Sequence, residues 1–175
     1  GKGSFTLVIP EGVRYLEKDA LMCCHDAERV VLPSTLVDIP EGISHHLSAE
    51  ITLAAHNPRY VLVDGYLIDT QTDTLIYTCV SAPEDKLPAV RRIGNDALAN
   101  YGLALTPEDS PWSGHLVIPE GVEELGCNVA YDDPFLQSVT LPESLRVIET
   151  GAFECILVAS GEIVVPAGVE VIQYG

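Results

Sequence analysis

The residue types able to do chemistry are few in this 175-residue chain, which carries five histidines and five cysteines. His45 and His46, with His56, Cys23, Cys24 and His25 in nearby stretches, sketch a metal site. Structural zinc needs four thiolate or imidazole donors at a tight, recurrent spacing, and no spacing among these residues matches one. They read instead as turn histidines beside a buried thiol. Cys127, a histidine and one of 26 acidic residues would make a nucleophile, base and acid. No activating motif such as Gly-x-Ser-x-Gly accompanies them, and so many carboxylates make a chance pairing expected. Asp69, Asp73, Glu84 and Asp85 bunch where calcium could sit. No Asp-x-Asp-x-Asp-Gly loop occurs, so they read as solvated carboxylates. Trp112 and Tyr101 are either an aromatic anchor for a partner or a local plug. The reading is therefore not an enzyme: no catalytic residue, no metal and no cofactor.

Charge narrows the partners. Nine Lys and Arg against 26 Asp and Glu leave a net charge of −17. Such a surface repels phosphate backbones and anionic headgroups, which argues against nucleic acid. No apolar run approaches the ~18 residues of a membrane span, so membrane insertion is not expected. Cys23 and Cys24 are adjacent, the cysteine count is odd and there is no Cys-x-x-Cys, so no disulfide framework is read here. The chain opens Gly1-Lys2-Gly3 without methionine, so the absence of an export signal carries no information.

Any site has to be positioned by what surrounds it, and that is a repeat. TLVIPEGVRYLE (Thr6 to Glu17) returns as HLVIPEGVEELG (His115 to Gly126). The interval is 23 residues from Pro10 to Pro33, 23 from Pro119 to Pro142 and 24 from Pro142 to Pro166. Before each proline stands an apolar triplet: Leu7-Val8-Ile9, Val30-Val31-Leu32, Leu116-Val117-Ile118, Val139-Thr140-Leu141 and Ile163-Val164-Val165. Three and six residues after it stand two more apolar side chains, as with Val13 and Leu16 or Val122 and Leu125. A weaker copy runs Ile51-Thr52-Leu53, with Ala54 in the proline's place.

A period near 23 marks a solenoid. One unit buries too little to offset the entropy of ordering it; stacked units share a spine and a parallel ladder. Strand alternation sends the first and third triplet residues inward and the middle one outward. Proline ends the strand because it has no N–H for the ladder. A second phrase, Asp19-Ala20-Leu21, Asp96-Ala97-Leu98 and Gly151-Ala152-Phe153, is expected to plug the back of the coil in a helical or 3₁₀ turn. Residues 57–89 break the period. There Val61-Leu62-Val63, the turn Asp64-Gly65, Tyr66-Leu67-Ile68 and Leu75-Ile76-Tyr77 predict an antiparallel hairpin or meander, expected to project mid-chain. Residues 102–114, including TPEDSPWS (Thr106 to Ser113), form an irregular loop.

These phrases together resemble the BspA-like leucine-rich repeats of bacteria, whose unit has the form LxxIxIPxxVxxIGxxAFxxC. LQSVTLPESLRVIETGAF (Leu136 to Phe153) follows that form, and the Asn57-Pro58-x-Tyr60, Asp64-Gly65 and Leu75-Ile76 hairpin is similar to one that recurs in the family. Leucine stands for phenylalanine at Leu21 and Leu98, and residues 127–134 leave the pattern. The resemblance implies one leucine-rich-repeat solenoid over residues 1–175: a right-handed β/α-type superhelix, β-rich, with a parallel sheet on one side and looser turns and short helical pieces on the other. It also implies a secreted or cell-surface recognition and adhesion domain, with no catalysis.

The candidate ligand face is the row of outward strand residues: Val8, Val31, Thr52, Val117, Thr140 and Val164, with His115 beside them. Two readings are open: a binding face, or β-branched residues sitting well on exposed strands. The expected partner is a protein, whether host, matrix or a copy of the chain itself. The alternative is an intracellular, cytoplasmic scaffold that self-associates and keeps its thiols reduced.

Overall fold

The structure, a computed structural model, describes residues 4–21, 24–43, 47–82, 87–99, 114–131, 133, 135–154, 156 and 162–174. It is a β-solenoid of about six coils of roughly 23 residues. Among the described residues twelve strands follow in order: β1 (Phe5–Val8), β2 (Ala27–Leu32), β3 (Glu50–Leu53), β4 (Tyr60–Val63), β5 (Tyr66–Asp69), β6 (Thr74–Thr78), β7 (Arg92–Ile93), β8 (His115–Val117), β9 (Glu124–Leu125), β10 (Ser138–Thr140), β11 (Val147–Ile148) and β12 (Val171–Ile172).

The triplets form the first face. β1, β2 and β3 pair in parallel, with Leu7 opposite Val30 and Val30 opposite Ile51. β8 and β10 form a separate parallel pair, Leu116 opposite Val139. Alternation holds in the interior coils: Val30, Leu32, Leu116 and Ile118 are buried, while the middle residues Val8 and Val117 are 62% and 59% exposed; Val165, expected inward, is 41% exposed.

The opposite side is not a row of looser turns. The residues five and six after Pro119, Pro142 and Pro166 form β9, β11 and β12, and they join β7 in a parallel ladder. The same hydrogen bonds recur at each step: Glu124 N–H donates to Arg91 C=O, Val147 N–H to Glu123 C=O, and Val171 N–H to Arg146 C=O. These strands are two residues long, too short for alternation to reveal them.

Nor does the Ala-containing phrase form a helical turn; no helix occurs among the described residues. The reason is a left-handed residue nine positions after the proline, or after the residue in its place. Asp19, Gly42, Asp96, Asn128 and Gly151 have φ of 64°, 80°, 57°, 53° and 65°. A left-handed residue interrupts helical geometry, and Gly, Asn and Asp tolerate it best. Two successive tight turns result, as in Ala97 N–H to Gly94 C=O and Ala99 N–H to Asp96 C=O.

The meander does not project. β4, β5 and β6 pair antiparallel, and β6 then pairs in parallel with β7, completing a seven-stranded sheet of order β12-β11-β9-β7-β6-β5-β4. Its strands divide the interior into two cores. Tyr66 and Leu75 pack with the later coils, including Leu116, Leu125 and Leu145. Leu67, Ile76 and Tyr77 pack with the earlier ones, including Val30, Leu32 and Leu36. A strand buried on both faces needs a continuous apolar run rather than an alternating one, and Tyr66-Leu67-Ile68 and Leu75-Ile76-Tyr77 are such runs. The single aliphatic seam expected from the repeat is thus two seams with a partition between them.

Candidate functional site

Two devices hold adjacent coils in register. In the first, the Pro-Glu-Gly turn of one coil grips the turn of the next. Glu11 Oε1 accepts Ser34 N–H at 2.8 Å, and Gly12 N–H donates to Thr35 Oγ1 at 2.9 Å, which donates onward to Val13 C=O at 2.8 Å. The Pro119 and Pro142 coils repeat the clasp. Glu120 Oε1 accepts Glu143 N–H at 2.9 Å, Gly121 N–H donates to Ser144 Oγ at 3.0 Å, and Ser144 Oγ donates to Val122 C=O at 2.8 Å. Bonding to the Ser34 N–H holds the Glu11 carboxyl below its usual value. In the second device, a side chain on one coil accepts the backbone N–H of the next: Asn95 N–H goes to Glu41 Oε2 at 3.0 Å and Cys127 N–H to Asn95 Oδ1 at 2.9 Å.

This framework sets out the candidate face. Val8, Val31 and Thr52 stand opposite one another across β1, β2 and β3. Val8 and Thr52 are exposed and Val31 is half-buried. Val117 and Thr140 stand opposite on β8 and β10, with His115 opposite Ser138 and His115 Nδ1 bonded to Ser138 Oγ at 2.8 Å. Val164 is 70% exposed but lies outside any strand. The structure therefore groups these residues as two patches on separate sheets rather than one row.

On the second face one guanidinium organises three coils. Arg92 bonds to Glu41 Oε2 at 3.0 Å, Glu124 Oε2 at 3.3 Å, Glu149 Oε1 at 2.8 Å and Asn95 Oδ1 at 3.2 Å. Burial pulls the Arg92 pKa down, but the bonds to Glu149 and Glu41 outweigh it and leave it raised. The same bond to Arg92 holds Glu149 below the ordinary glutamate value. Cys127 Sγ lies 3.5 Å from Glu149 Oε2, and burial, then that carboxylate, push its thiol up. A thiol so placed is shielded from becoming the thiolate that nucleophilic chemistry needs. A cleft of about 450 Å³ opens beside this cluster, walled by Glu17 to Leu21, Pro40 to Ile43, Asn95, Asp96, Cys127 and Asn128.

The insertion is fastened by its own polar residues. Asn57 Nδ2 donates to Leu36 C=O at 2.9 Å, and its Oδ1 accepts Arg59 N–H and Tyr60 N–H. Arg59 bonds to Asp69 Oδ2 at 2.7 Å, to Asp38 Oδ1 at 3.1 Å and to Val37 C=O at 2.7 Å. Asp69 corrects the expectation of a solvated carboxylate: it is 2% exposed. Burial raises its pKa, but Arg59 and the Gln71 N–H more than compensate and leave it lowered. Asp73 is spent on the backbone N–H of Arg91. Tyr60 OH accepts Ile39 N–H at 2.8 Å, and burial lifts its pKa to about 12. Cys79 Sγ accepts Ile51 N–H at 3.2 Å, with burial lifting the thiol to about 11.

Among the described residues no group of three or more His, Cys, Asp or Glu is placed to hold a metal ion. His25 and His56 are exposed. Cys23, His45, His46, Glu84, Asp85, Tyr101, Trp112 and most of the 102–114 loop lie outside the described residues. Sequence reasoning missed the Arg92 and Arg59 clusters. For Arg59 a signal existed: the Asp64-Gly65 hairpin sets Tyr60 opposite Asp69, which brings Arg59 alongside.

No family model matches the chain, and no curated protein matches it. Among solved structures it is similar to the pneumococcal vaccine antigen PcpA, with a TM-score of 0.70 and 17% identity over 98% of this chain and 46% of that one. It is also similar to a leucine rich cell surface protein from Faecalibacterium prausnitzii A2-165, with a TM-score of 0.66 and 19% identity over 94% of this chain and 48% of that one. The chain spans about half the length of each. At these identities the likeness is one of fold, a leucine-rich-repeat solenoid.

Proposed function

We propose that this chain is a non-catalytic protein-recognition module of the BspA-like kind, working outside the bacterial cell or on its surface. The observation that carries the reading is the pair of outward patches on the first face. Parallel strands locked in register by the turn clasps present Val8 and Val117 to solvent at 62% and 59% exposure. Rigid, regularly spaced side chains lose little entropy on binding, which is how repeat solenoids use a sheet face. Both fold neighbours support the setting, one being a cell surface protein and the other a vaccine antigen. The net charge of −17 favours a protein partner with basic surface around the apolar contact.

The test is a binding screen of wild type against extracellular matrix and surface proteins. It is repeated with Val8→Asp, Val117→Asp and Val164→Asp, with circular dichroism melts confirming the fold. A hot-spot role predicts at least about tenfold weaker capture for one of the first two variants. Undiminished capture by the triple variant removes the face from consideration.

A further inference from the structure

The left-handed residues that turn the back of the coils form a column, and the column skips one coil. Asp19, Gly42, Asp96, Asn128 and Gly151 hold this place in the Pro10, Pro33, Leu87, Pro119 and Pro142 coils. The equivalent residue of the Ala54 coil is Val63, which lies in β4 and belongs to the partition. The Pro33 coil therefore meets the Leu87 coil directly, with Gly42 N–H donating to Asn95 C=O at 3.1 Å. The approach is close, since a Cβ at Gly42 would lie 2.9 Å from Asp96 Oδ2. The cleft of about 450 Å³ opens around this junction, walled further by the Pro10 coil and the Pro119 coil.

Size, polarity and charge restrict what the cleft can hold. Its volume falls in the ~300–1,000 Å³ range of organic-ligand pockets, far more than a single ion needs. Among the described residues no three donors are placed for a metal. Its apolar lining includes the buried side chains of Leu21 and Ile43. Its charged lining is acidic: Glu17, Asp19, Glu41 and Asp96 stand against one cation, Lys18. The neighbouring Arg92 cluster brings no surplus positive charge, because that guanidinium already serves Glu41, Glu124 and Glu149. A lysine or arginine side chain suits such a lining, laying its apolar stem on the aliphatic surface and carrying its charge to the carboxylates.

The backbone adds a donor. In two later steps the side chain eight residues after the proline, or after the residue in its place, accepts the N–H of its counterpart in the adjoining coil. Glu41 Oε2 accepts from Asn95 at 3.0 Å and Asn95 Oδ1 from Cys127 at 2.9 Å. Lys18 holds that place in the Pro10 coil, and an ammonium accepts no hydrogen bond. Lys18 therefore offers the Glu41 N–H no acceptor, and both residues line the cleft. A peptide carbonyl supplies such an acceptor; a metal ion or a free ammonium does not.

We propose that this cleft binds a short basic segment of a protein partner. One arginine or lysine side chain of the segment lies along Leu21 and Ile43 with its charge against Asp19 and Glu41, and a carbonyl of the segment accepts from Glu41 N–H. Arginine is the better fit, since its planar fork bonds two carboxylates at once. None of the residues that wall the cleft belongs to the outward patches of Val8 and Val117, so the site stands whether or not that face binds a partner. Glu17 and Asp19 are exposed, so the attraction is screened as salt rises.

The test titrates the full chain, isotope-labelled, with the blocked peptide acetyl-Ala-Arg-Arg-Ala-amide and follows amide chemical shifts. A second peptide carries citrulline for arginine, which keeps the shape and removes the charge. The arginine peptide is expected to shift Gly42, Asn95 and Asn128, and the citrulline peptide to leave them in place. Asp19→Asn and Glu41→Gln should each weaken binding about fivefold. Asparagine tolerates the left-handed backbone at position 19, and glutamine still accepts the Asn95 N–H, so circular dichroism should show unchanged folds. Glu28→Gln removes the same charge from an exposed position of β2 outside the cleft and should leave affinity unchanged. Absent binding, equal binding of the citrulline peptide, or equal weakening by Glu28→Gln overturns the proposal. Shifts confined to Val8, Val117 and their neighbours overturn it too, and assign the peptide to the first face.

Discussion

Arg92→Met removes the guanidinium shared by three carboxylates while leaving an unbranched apolar stem in its place. The three lie 51, 32 and 57 residues away in sequence, so the change cuts ties between early and late coils at once. Arg92 is 11% exposed and Glu149, Glu124 and Glu41 are 23%, 29% and 31% exposed. Breaking a fully buried ion pair costs ~3–5 kcal/mol and an exposed one at most ~1 kcal/mol. A cluster exposed to this degree falls between, at about 2–3 kcal/mol, or ~5–10 °C in Tm for a chain of this size. The pH dependence identifies the cause. Glu149 is held below its ordinary value by Arg92. A carboxylate of that kind stabilises the fold above its unfolded pKa of ~4.3 and loses that contribution as pH falls through its folded value. The gap between wild type and Arg92→Met is therefore full at neutral pH and narrows in acid. Equilibrium urea unfolding of both proteins at about pH 7 and about pH 3 reads it. A gap below ~0.5 kcal/mol at neutral pH, or one equal at both pH values, refutes the reasoning.

Two further outcomes test the partition and the clasp. Tyr77 OH accepts Ala49 N–H at 2.9 Å and reaches Ala49 C=O at 2.9 Å, so Tyr77→Phe strands buried backbone groups and should cost ~1–3 kcal/mol in chemical unfolding; a neutral result would mean the meander is not anchored to the early coils there. Ser144→Ala should cost ~1 kcal/mol and selectively raise hydrogen exchange at Gly121 N–H, which donates to the lost hydroxyl. Unchanged protection at Gly121 would remove the clasp from the account.

Much of the coil was legible because its rules are local. Val30, Leu32, Leu116 and Ile118 are buried where the triplet pattern puts them, and Val8 and Val117 point out. The second-face strands were not legible, since Glu124–Leu125 and Val147–Ile148 are too short to carry a period. Asp69 sits in a polar stretch, Asp69 to Asp73, and its burial depends on Arg59 arriving from a neighbouring strand. Arg92 carries no spacing signal at all, because its partners are chosen by which coils stack.

The amino-acid order alone settled the unit of construction. Spacing from each proline decides within a few residues which side chains turn inward and where a strand stops. These are short-range steric and hydrogen-bonding choices, and they repeat because the words repeat. Tertiary structure decided what lies between the units. It made residues 57–89 a partition rather than a protrusion, split one expected seam into two cores, and gathered Glu41, Arg92, Glu124 and Glu149 from distant coils. Such choices depend on which surfaces remain to be buried once the coils have stacked, and no short window of sequence holds that information.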